Sequence, residues 1–80
     1  MKEELTQEQI QSSILAAFDS VNLINNLLTT EKNEENKNTV KRNFEHLEVM
    51  MSKDWFSEAL STEQKNDIDL SIENGKLFIS

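Results

Sequence analysis

His46 is the only imidazole in the chain and the one side chain suited by type to general acid–base work near neutral pH. Glu45 and Glu48 lie either side of it, and their spacing of three puts both carboxylates on one face if the segment is helical. A catalytic histidine also needs a nucleophile to activate or a carboxylate to orient it, and no serine, cysteine or aspartate stands at a spacing that suggests either. Gly75 is the single glycine, so no glycine-rich loop can cradle a phosphate. Cysteine is absent, which leaves zinc without enough ligands. A hard cation held by carboxylates is the remaining metal chemistry, and the alternating Asp/Asn/Gly pattern of a calcium loop does not occur. An enclosed pocket around His46 would have to recruit Trp55 and Phe44. The expectation is a non-enzymatic chain with no catalytic residue, no metal and no cofactor.

The bulk composition narrows the partners. Fifteen acidic residues against eight basic ones give a formal charge of −7, which repels bare nucleic-acid backbone. The one basic cluster, Lys37, Lys41 and Arg42, is interleaved with Glu34, Glu35, Glu45 and Glu48 and has the pattern of a solvated helix face. The start Met1-Lys2-Glu3-Glu4-Leu5-Thr6 is acidic and polar, unlike a signal peptide, and no apolar run approaches the roughly 20 residues that span a bilayer. A cytoplasmic protein with no direct nucleic-acid or membrane contact is expected. Acidity of this kind could also mimic DNA phosphates, provided that the carboxylates form one continuous strip.

The elements that would carry these residues are helices. Proline is absent and glycine nearly so, which removes the usual turn residues of an all-β domain. Thr6-Gln7-Glu8-Gln9 is a capping box, and Ile10, Ile14, Ala17, Val21, Ile24 and Leu28 follow at spacings of four, three, four, three and four. These define a first helix over about 7–29. Thr29 to Asn38 contains no apolar residue and forms the connection and the first turn of a second helix over 34–52, where Glu34 and Glu35 suit the helix dipole. Val40, Phe44, Leu47 and Met51 form its seam. Asp54 either starts a short helix over 54–60 or lies within a continuation of the second. Ser61-Thr62-Glu63-Gln64 is another capping box and opens a helix over 62–74, with Ile68 and Ile72 inward and Asn74-Gly75 as a left-handed cap. Lys76 to Ser80 then reads as an extended tail over 76–80. The fold class expected is all-α, one domain over 1–80, a small antiparallel three- to four-helix bundle with an extended C-terminal tail.

Such a bundle has more apolar faces than a short chain encloses easily. Leu15, Leu23 and Leu27 fall about 100° to 140° from the seam of the first helix, and Phe18 sits at its shoulder. Trp55 and Phe56 add aromatic bulk, and Leu77, Phe78 and Ile79 are consecutive near the terminus. A domain of this size without disulfides or a metal gains stability by oligomerising. Leu15, Leu23, Leu27, Trp55, Phe56, Leu77, Phe78 and Ile79 are therefore the candidate interface, and a homo-oligomer is the expected state.

One resemblance adds to this. Arg42-Asn43, His46-Leu47-Glu48, Met50, Lys53-Asp54-Trp55-Phe56, Ala59-Leu60 and Glu63-Gln64-Lys65 together resemble a run in small uncharacterised proteins of marine tailed phages, cyanophages in particular. The resemblance covers residues 42–65 and weakly more. It implies a viral origin, hence a location in the virion or host cytoplasm, and implies no activity. The expected function is that of a helical assembly or interaction protein acting as a homo-oligomer. The alternative is an acidic inhibitor or adaptor that binds a host or virion protein.

Overall fold

The computed structural model describes residues 5–80, so the acidic start at residues 1–4 lies outside it. Four helices occupy the described chain: α1 (Gln7–Leu27), α2 (Glu34–Met51), α3 (Asp54–Ala59) and α4 (Thr62–Ile79). The chain is all-α, and the four helices pack on one another.

Helix starts follow local chemistry. Thr6 Oγ1 accepts from the Gln9 amide at 3.1 Å while Gln9 Oε1 accepts from the Thr6 amide at 2.9 Å. Ser61 and Gln64 repeat the same reciprocal pair at 3.1 and 2.9 Å. Each box satisfies two amides that a helix start would otherwise leave unpaired. The start of α2 uses a different device, in which Asn33 Oδ1 accepts from the Asn36 amide at 2.8 Å. The Asn36 side chain then donates back to Glu31 O at 2.8 Å and to Thr30 Oγ1 at 3.2 Å. The polar connection between α1 and α2 is therefore a hydrogen-bonded corner. Asp54 begins a separate short helix as its first residue; the N-cap is Lys53, which makes no side-chain cap bond.

The C-terminal segment corrects the expectation of an extended tail. α4 runs through Gly75 to Ile79, and Gly75 does not adopt a positive φ, so it caps nothing. The physical reason lies across the helix boundary. A Cβ on Gly75 would stand 2.9 Å from Phe44 Cδ2 and 3.2 Å from Val40 Cγ1. Glycine therefore lets α4 approach α2 closely at this point, and the helix continues to Phe78, one turn later, which fills a core site.

That core is assembled from one stripe of each helix. Ile14, Ala17, Val21 and Ile24 of α1 meet Val40, Phe44 and Leu47 of α2, with Ile68 and Phe78 from α4. Phe56 of α3 and Leu60 complete it, and the Trp55 ring stands edge-on to Phe56 with centroids 6.0 Å apart. The inward stripe of α4 is Ile68, Ser71, Gly75 and Phe78, with Ile72 half-buried beside it. The Cα envelope measures 44 × 24 × 18 Å. Helices pack about 8–10 Å apart, so the shortest dimension holds two layers and every long helix keeps an outward face.

Candidate functional site

His46 is exposed on α2, on the side away from Val40, Phe44 and Leu47. Of its flanking glutamates, Glu45 is exposed, and Glu48 pairs with the Lys76 ammonium of α4 at 2.8 Å. The trio that a pocket around the histidine would require is dispersed. Phe44 is in the core, His46 is on the surface, and Trp55 lines a groove with Leu5, Gln9, Ser13 and Met50. Among the described residues no group of three or more His, Asp or Glu side chains is placed to hold a metal ion. No described helix is long and apolar enough to cross a membrane.

The candidate interface residues divide. Phe56 and Phe78 are 0% and 4% exposed and are enclosed by this chain's own helices. Over Phe78 lies the Lys32 ammonium, 5.7 Å from the ring centroid, which ties the α1–α2 corner to the last turn of α4. Leu27, Trp55 and Ile79 are half-buried against the core. Leu15, Leu23 and Leu77 remain exposed, at 67%, 40% and 68%. Val49 and Leu70, which lie beside the inward seams and outside the candidate interface, are each 56% exposed.

Placement of these five around their helices separates them into groups. Gln11, Ile14, Leu15 and Phe18 of α1 share a groove with Ser61 and with Glu63, Gln64 and Asp67 of α4. Further along, Ser71 Oγ donates to Asn25 Oδ1 at 3.4 Å, so α1 and α4 stay side by side. A helix advances about 100° per residue, which puts Leu70 and Leu77 within about 20° of each other and about 60° to 80° outward of Asp67. Asn74 falls between them on the α1 side. The outward face of α1 and α4 thus carries Leu15, half-buried Phe18, Leu70 and Leu77. Leu23 lies on the opposite flank of α1, about 80° from Leu15, and Val49 stands by itself on the outer side of α2.

Charge on α1 is wholly acidic, and that on α4 is mixed. The stretch forming α1 contains Glu8 and Asp19 and no lysine or arginine. On α4, Glu63 and Asp67 line the groove beside Leu15, and Lys76, paired with Glu48 at 2.8 Å, lines a separate pocket with Glu73 and Leu77. Lys65 falls on the flank remote from α1 by the same angular count. Carboxylates elsewhere are spread over all four helices, with Glu34, Glu35, Glu45 and Glu48 on α2 and Asp54 and Glu58 on α3.

A signal for Leu70 was present in the sequence, since Leu70 and Leu77 are seven apart, but an early helix stop at Gly75 hid the repeat. No family model matches the chain, and no match is found among curated proteins or solved structures. The resemblance to phage proteins therefore rests on the residues quoted for it alone.

Proposed function

We propose that this chain is a non-enzymatic helical interaction protein that docks another polypeptide on the outward face of α1 and α4. The supporting observation is that Leu15, Leu70 and Leu77 each keep more than half of their surface exposed on adjacent helices, while Val49, as exposed as Leu70, stands apart on α2. Exposed apolar side chains gathered on one face mark interaction surfaces more often than scattered single ones do. The short connections between successive helices suit an antiparallel arrangement of neighbours, a frame that presents such a face without a cleft. An origin in a tailed phage belongs to the same proposal through residues 42–65.

Self-association is the other way to cover these leucines. Enclosure of Phe56 and Phe78 within one chain removes part of the apolar surplus that motivated a homo-oligomer. The test is to replace Leu15, Leu70 and Leu77 together by serine and to compare mass by light scattering with retention of binding partners. The triple variant should keep its helicity, since exposed substitutions typically change stability by less than about 0.5 kcal/mol each, and should lose whatever association the parent shows. An association that survives all three substitutions unchanged refutes the proposed face.

A further inference from the structure

We propose that Asn74 is a self-modification site held in check by α4, at which spontaneous deamidation follows local opening of the helix end and makes that opening permanent. Of the chain's asparagines, only Asn74 is followed by glycine. Glycine is the neighbour that favours the reaction most, because it has no Cβ to obstruct attack and the widest freedom of backbone rotation. The Gly75 amide nitrogen attacks the Asn74 Cγ. The N–Cγ bond forms, the Cγ–Nδ2 bond breaks, and Nδ2 leaves as ammonia with the proton that the amide gives up. Water then opens the five-membered imide. Addition at Cγ gives aspartate, and addition at the main-chain carbonyl carbon gives isoaspartate, whose backbone runs through Cβ and Cγ.

The fold opposes the first step. Asn74 and Gly75 lie inside α4, which continues to Ile79 without a positive φ. In a helix the Gly75 N–H is bonded to the Ser71 carbonyl, and the attack requires the 74–75 peptide plane to turn, which breaks that bond. Packing holds the plane in place, since a Cβ on Gly75 would stand 2.9 Å from Phe44 Cδ2 and 3.2 Å from Val40 Cγ1. Three further contacts pin the same stretch. Phe78 is buried, the Lys32 ammonium lies 5.7 Å from its ring centroid, and Lys76 pairs with Glu48 at 2.8 Å. The reaction therefore waits for the end of α4 to open, a local event that costs less than global unfolding. Water is already at hand, because half-buried Asn74 lines an open surface pocket with Glu73, Lys76, Leu77 and Ser80. Isoaspartate adds one atom to the main chain. The spacing that brings Ser71, Gly75 and Phe78 to one face is then lost, and Phe78 cannot return to its site.

The test incubates the full chain in mildly alkaline buffer with and without urea. Mass spectrometry of the tryptic fragment 66–76 follows deamidation, fragment ions separate Asn74 from Asn66, and enzymatic methylation scores isoaspartate. Asn74 should react readily in urea and at least about tenfold more slowly in the folded chain. Phe78→Leu, which loosens the last turn, should speed the folded reaction several-fold. Ile14→Val, which trims the core where α1 faces Ser61 and Gln64 at the start of α4, should not. Circular dichroism establishes that both variants fold. The isoaspartyl form, isolated by chromatography, should melt below the parent. Equal rates with and without urea, or no reaction in urea, overturn the proposal. Equal acceleration by both substitutions places the reaction in the globally unfolded chain and overturns the local opening, as does acceleration by neither. An isoaspartyl form that melts like the parent overturns the permanent release of the last turn.

Discussion

Gly75 is the position at which packing and local propensity oppose each other most directly. Alanine at a helix interior is favoured over glycine by about 0.8–1.0 kcal/mol, so Gly75→Ala ought to stabilise α4 if only the helix mattered. The added Cβ, however, would meet Phe44 Cδ2 at 2.9 Å and Val40 Cγ1 at 3.2 Å. Val40 is fully buried and Phe44 nearly so, which leaves little room for either to yield. Overpacking of a well-filled core costs about 1–3 kcal/mol, so the net expectation is destabilisation by about 1 kcal/mol, or a fall of about 4–8 °C in Tm for a domain this small. Gly75→Asn discriminates further. Asparagine is tolerated at a left-handed helix cap, whereas at a packed helix–helix contact its larger polar side chain is worse than alanine. Thermal unfolding followed by circular dichroism should rank glycine above alanine and alanine above asparagine. Phe44→Leu should recover part of the loss in the Gly75→Ala background but not in the parent, because it relieves contact with a Cβ that only the alanine variant has. Equal or higher stability of Gly75→Asn relative to Gly75→Ala would show that the residue acts as a cap after all.

Two further outcomes follow from the helix ends and from burial. Ser61→Ala removes the acceptor for the Gln64 amide and should lower stability by about 1 kcal/mol in urea unfolding, whereas Ser61→Asn should largely preserve it; identical losses in both would mean that the cap bond contributes nothing. Neighbouring residues in the last turn should behave oppositely: Phe78→Ala should cost about 3–5 kcal/mol and Leu77→Ala less than about 0.5, and comparable midpoints for the two would contradict the orientation of that turn.

What the sequence made legible was what rests on side chains with strong local signals. Both capping boxes form as expected, and the seam of α1 from Ile14 to Ile24 and that of α2 from Val40 to Leu47 are buried. Asn33 was missed as a cap because it stands in a wholly polar run, where several residues could serve equally. The end of α4 was misjudged for a different reason. Gly75 carries a local preference for left-handed turns, and only the approach of Phe44 and Val40, some thirty residues earlier in the chain, reveals why a side chain is excluded there. Ser71 is likewise silent in a hydrophobicity pattern, although it is buried and donates to Asn25. The inward stripe Ile68, Ser71, Gly75 and Phe78 follows spacings of three, four and three, but two of its four members are small residues that no apolar count registers.

The same feature accounts for the candidate surface. Small residues on the inner side of α4 let that helix sit close to α2 without consuming its leucines, so Ile68 and Phe78 fill the core while Leu70 and Leu77 remain outside. A chain selected only for stability would gain from polar residues at both outward positions, since an exposed leucine adds no burial and favours non-specific association. Glycine at position 75 carries the opposite cost, because it weakens the helix interior by up to about 1 kcal/mol relative to alanine. The two choices act together. The close approach at Gly75 fixes the rotation of α4 about its axis, and that rotation turns the Leu70–Leu77 stripe outward rather than into the core.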